Sequence, residues 1–226
     1  MTTWRDGTST PRTPAELELE CADILHASQH APGGTDELIA FTRGHTSLSR
    51  LDVFRREEIA TNAFGTTTGH MQLSFFTAPP GYGPLGFTGC AHNSASSGLT
   101  LARLGVFQID ASDNGLLVAR TANDTTMGNA AGAPYDRAFD TAGGFPATWT
   151  PTPGQRYAWA LLYVGSGVGS QISRNVGNSA VIGTSATAGR PRMHARIQAQ
   201  ADIPLSFTAA QLDTSGSGGS PWGYFR

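Results

Sequence analysis

The chain has 226 residues, 39% apolar and only 14% charged, with a net charge of −2. A near-neutral chain with no basic stripe and no RNA-binding aromatic motif gives no signal of a polyanion-binding surface, and no apolar run reaches the length of a membrane span. All 15 basic residues are arginine, the usage of a GC-rich genome, so a Walker A lysine, a Schiff-base lysine and a Ser–Lys dyad are excluded.

The 28 glycines give the texture of short strands joined by tight turns. The opening "MTTWRDGTSTPRTP" lacks the apolar region of a signal peptide. The two cysteines, Cys21 and Cys90, form no CxxC pair, which excludes a cysteine-based zinc site and a thioredoxin-like motif. Two buried thiols are the expectation.

The first predicted element is a helix over "TPAELELECADILHAS". Thr13 is a good N-cap, Pro14 suits the first helical position and Glu16 completes a capping box. Leu17, Cys21, Ile24 and Leu25 fall on one face at helical spacing. A lone helix of this length is marginal in water, so the stripe is expected to pack on the chain's own domain or on symmetry mates in a closed, three-fold oligomer. "APGG" ends the helix. Residues 35–68 mix "ELIAF" with "RLDVFRREE" and are expected to hold short helical turns and extended pieces, with "FGTTTG" as a hinge. Residues 1–68 are thus read as an arm, a helix and a joint that serve oligomerisation.

From Gly69 the pattern changes. "HMQLSFFTA", "LTLARLGVFQI", "LLVARTA", "YDRAFD", "RYAWALLYVG", "SAVIGTS" and "MHARIQAQADI" read as successive strands, separated by turn clusters such as "APPGYGP", "DASDNG" and "TPTPG". No helix-length amphipathic segment intervenes, which argues against a βαβ architecture. The prediction for residues 69–226 is a mainly β, antiparallel, jelly-roll-like β-sandwich carried on a short N-terminal helical stem. The tail "DTSGSGGSPWGYFR" reads as a linker ending in aromatics that dock on the body.

Four constellations invite chemistry. His26 and His30 are four apart and could supply two metal ligands, or simply complement a helix C-terminus. Asp110, Ser112 and Asn114 match the first half of a calcium loop, but Thr121 stands where the glutamate belongs. The segment also suits a hairpin tip. "GSGVGS" at 165–170 resembles a phosphate loop only in its glycines, since no helix follows. Asp136 and Asp140 need only be a solvent face, and no GxSxG elbow occurs. The expectation is a protein that is not an enzyme, with no catalytic residues, no cofactor and no metal. Tyr82, in a Gly/Pro-rich loop, and Trp149, before "TPTPG", are candidate receptor or glycan contacts. The competing reading is that they cap the sandwich core.

"ASQHAPGGTDELI" resembles the His-Ala-x-Gly-Gly-x-Asp segment in the stems of bacteriophage tail fibres. "GHMQLSFFTAPP", "LARLGVFQIDASDNGLLVARTANDTT", "GQRYAWALLYVG" and "ADIPLSFTAAQL" together resemble the C-terminal domain of minor tail proteins of phages that infect actinobacteria. The resemblance runs from about Ala27 almost to Arg226. It implies a structural virion protein, made in the host cytoplasm and placed on the particle surface, on the tail ahead of the capsid. Its implied partners are itself as a homotrimer, other virion structural proteins and a host-surface glycan or protein, with no nucleic acid and no membrane insertion. Residues 1–68 would then also attach it to the virion. A capsid-attached fibre or decoration protein and a carbohydrate-binding β-sandwich module are the alternatives.

Overall fold

The structure, a computed structural model, describes residues 50–54, 59–167, 169–175, 193–213 and 220–226. The predicted stripe of Leu17, Cys21, Ile24 and Leu25, the His26/His30 pair and "SAVIGTS" lie outside the described residues. Those described form β1 (Leu51–Asp52), β2 (Ile59–Gly65), β3 (Met71–Thr77), β4 (Phe87–His92), β5 (Leu99–Ile109), β6 (Gly115–Arg120), β7 (Ala133–Ala138), β8 (Arg156–Gly165), β9 (Gln171–Asn175), β10 (His194–Ile197), β11 (Ser206–Phe207) and β12 (Gly223–Phe225).

The strands build two antiparallel sheets, and eight of them run in the orders β1-β12-β4-β7 (sheet A) and β3-β8-β5-β6 (sheet B). Along the chain these eight alternate between the sheets, save for the β5–β6 hairpin inside sheet B. That is the double Greek key of a jelly roll, and the predicted mainly β sandwich is the fold. Four further strands extend it. β10 flanks β3, β11 flanks β6, and β9 joins β4 at the His92–Ile172 pair while carrying β2 on its far side.

β1 and β2 come from the stretch read as a joint, so the sandwich begins ahead of Gly69. Nor is "FGTTTG" a hinge. Thr66 Oγ1 donates to the Ser170 carbonyl at 2.8 Å and Thr68 Oγ1 to that of Gly165 at 2.9 Å, pinning the turn against the loop after β8. The docking tail is realised in β12, which lies between β1 and β4 with Phe225 fully buried.

β8 explains why sheet B reads so apolar. Tyr157, Trp159, Leu161 and Tyr163 face the core between the sheets, whereas Ala158, Ala160 and Leu162 face a second cluster on the outer side. Full burial of each large side chain contributes roughly 1.5–3 kcal/mol. β6 changes parity: Val106 pairs with Ala119 and Phe107 with Leu117, leaving Val118 as the extra residue of a bulge.

The outer cluster has its own cover. The chain pairs with β3 through β10, crosses sheet B over residues 198–205, and pairs with β6 through β11. Ile203, Phe207 and Leu212 fill the cluster. Arg103 Nη1 on β5 holds the Asp202 carboxylate at 2.7 and 3.0 Å, and Asp202 Oδ1 accepts the Ile203 amide at 2.7 Å. This crossing segment is a strap anchored at both edges of the sheet.

Candidate functional site

Tyr82 and Trp149 are 7% and 5% exposed and belong to the inter-sheet core. Trp149 exchanges both backbone hydrogen bonds with Leu85 at 2.8 Å. Its ring meets Tyr157 at 4.8 Å and Phe225 at 4.9 Å. These loops fold back over the end of the sandwich, and the rings cap it instead of offering a face to a ligand. The prediction of both as exposed contacts is corrected accordingly.

A second group was not foreseen. The inward-facing alternation of β4 places Cys90 and His92 in the core, with Sγ 3.3 Å from Nε2. On the other side Nδ1 lies 2.6 Å from Ser170 Oγ, which donates to the Tyr163 hydroxyl at 3.3 Å. Burial pushes the thiol up to about 12, so it stays protonated. Burial, with the Arg137 charge nearby, pulls His92 down to about 4.

The line Ser–His–Cys has the contour of a nucleophilic triad and opposite electrostatics. An activated nucleophile needs a base that accepts its proton near neutral pH and a partner that stabilises the resulting cation. His92 has a neutral thiol in that place. All three residues are fully buried, and Gly128 closes one side: a Cβ there would stand 2.9 Å from Nδ1. The network ties β4, β8 and the start of β9 together.

The Asp110 loop also resolves into structure. Asp110 Oδ1 accepts the amides of Ser112 and Asn114 at 2.8 and 2.9 Å, and Oδ2 accepts Asn114 Nδ2 at 2.8 Å. These bonds, the Asn114 side chain first, hold its carboxyl below the usual range. Asp113, at φ 67°, turns inward to accept Arg156 Nη1 at 2.7 Å. The left-handed residue is thus Asp113, and the tip is a three-residue loop rather than an Asn-Gly turn. Gly115 already belongs to β6. Asp136 accepts Arg226 Nε at 2.6 Å and Asp140 accepts the Ala142 amide at 3.0 Å, so the two carboxylates serve separate partners. Among the described residues no three His, Cys, Asp or Glu side chains gather as a metal site.

Beside this hairpin tip lies an open cleft of roughly 570 Å³. Gln108, Leu116 and Ser206 stand abreast on β5, β6 and β11 as direct cross-strand partners. All three are exposed, Leu116 by 58%. Gln155, Asp110, Asn114 and Thr208 add to its polar lining, beside Ile109, Gly115 and Phe207. Several of these groups are already fixed. Gln155 Nε2 donates to the carbonyls of Ile109 and Arg156 at 2.7 and 3.0 Å, and Asn114 Oδ1 accepts the Ala209 amide at 3.0 Å. Of this cleft only "DASDNG" stood out in the sequence, because the other walls come from distant segments with unremarked polar residues. No protein-family model and no curated protein matches the chain.

Proposed function

We propose that the chain is a structural virion protein, a minor tail protein or fibre knob displayed for attachment to a host surface. A jelly roll serves viral shells, lectins and cupins alike, so the fold narrows the function without naming it. The observation that carries the reading is the ordered resemblance of four strand-bearing segments to minor tail proteins, in a chain whose body is a jelly roll. The sealed, neutral state of the Ser170–His92–Cys90 line supports a non-catalytic role. In this reading Leu17, Cys21, Ile24 and Leu25 bury their stripe against symmetry mates in a homotrimer.

Gold-labelled antibody against the chain should decorate intact particles, at the tail in the leading reading and at the head for a capsid fibre. Absence from particles would overturn the proposal. Replacing Leu17 and Ile24 with Asp should lower the solution mass or the amount incorporated. Normal assembly of that double variant would place the stripe on the chain's own domain.

A further inference from the structure

The row Gln108–Leu116–Ser206 is an amphipathic platform: one aliphatic side chain flanked by a carboxamide and a hydroxyl, at the spacing of neighbouring strands. A pyranose ring has the matching anatomy, a C–H face ringed by hydroxyls that both donate and accept. Leu116 would meet the face, while Gln108 and Ser206, which make no side-chain hydrogen bond within the described residues, would meet the rim. Gln155, whose Nε2 is held by two carbonyls, also lines this space.

The charges narrow the class further. Among the described residues no cationic side chain lines the cleft, and the one formal charge there is the Asp110 carboxylate, so sulfated and acidic sugars are disfavoured. The volume lies within the range of small-ligand sites. We infer that this cleft binds a neutral, hydroxyl-rich glycan. The assignment rests on the attachment role proposed above and gives that role a ligand class.

The test is a titration of the full-length, 15N-labelled chain with neutral trisaccharides of mannose, glucose and galactose at up to tens of millimolar. At least one should shift the amides of residues 108–116 and 206–208. The Gln108→Ala/Ser206→Ala variant should bind it roughly tenfold more weakly, the loss expected for two rim contacts. Leu116→Asp should abolish the response. Those residues are exposed, and an unchanged amide spectrum elsewhere confirms that each variant is folded. If Leu116→Asp fails to fold, the double variant alone decides.

No response to any of the three sugars, a response elsewhere in the chain, or unchanged binding by the variants would overturn the glycan site. So would binding at these amides by glucuronate oligomers alone. Particle labelling separates the two proposals: decorated particles with an unresponsive cleft remove the glycan site and keep the virion role.

Discussion

Gly115 leaves the space that Phe207 occupies: a Cβ at position 115 would lie 2.2 Å from the ring's Cε1. The ring in turn packs tilted against Phe107 at 5.0 Å, tying the end of the strap to residues that line the cleft. Gly115→Ala should therefore cost about 1–3 kcal/mol through overpacking. Gly83→Ala, where nothing stands within 4 Å, should stay within about 0.5 kcal/mol of the parent. Denaturant midpoints compare the two, and equal midpoints would show that Phe207 is not held this way.

Acid should unfold the sandwich early. His92 and His194 are each pulled down to about 4, chiefly by burial. His194 Nε2 lies 3.2 Å from Gln72 Oε1 on the inner face of β3. Their folded values lie below the ordinary 6.5, so the unfolded chain takes up protons first as the pH falls. Stability is whole above pH 6.5 and is lost between there and pH 4, by about 1.4 kcal/mol per pH unit for each histidine. Melting temperatures at pH 7.5, 6.5, 5.5 and 4.5 should be level for the first two and then drop. A flat series would show that neither imidazole is buried neutral.

Cys90 should be inert while the protein is folded, being buried and protonated to about pH 12. In a Cys21→Ser background, a thiol-specific chromogenic reagent at pH 8 should label Cys90 only at the rate of unfolding. Rapid labelling would mean that solvent reaches the His92 network.

The strap should be held by its apolar plug more than by its ion pair. Ile203 is 3% exposed in the outer cluster, with Cδ1 placed 3.2 Å from where a Cβ on Gly105 would sit. Ile203→Ala should cost roughly 2–5 kcal/mol. The Asp202 side chain is 46% exposed, and Asp202→Ala should cost at most about 1 kcal/mol. Chemical denaturation of both variants checks the order, and a larger loss for Asp202→Ala would reverse the assignment.

What could be read in advance follows from local pattern. β5 and β8 occupy the stretches expected of them, "LTLARLGVFQI" and "RYAWALLYVG", because long apolar runs end at clear turn clusters. β4, "FTGCAH", and β9, "QISRN", escaped notice because short strands with glycine or polar residues carry little periodicity. Tyr82 and Trp149 misled because Gly/Pro-rich surroundings signal a loop, and a loop that folds back across the core buries its rings. The cleft could not be read, since Gln108, Leu116 and Ser206 become neighbours only through pairing of β5, β6 and β11.

The placement of β12 and the strap bears on how the protein is made. β12 fills the middle of sheet A between β1 and β4, and residues 194–207 complete both margins of sheet B. A ribosome that has translated only through β8 has produced two sheets that cannot close, one lacking its centre and the other bare on its outer face. Pairings so distant along the chain form slowly, and the half-made sheets expose apolar surface that invites aggregation. Folding of this body must therefore wait until synthesis has passed Phe225, and a chain stopped before Gly223 should be degraded or insoluble rather than partly active.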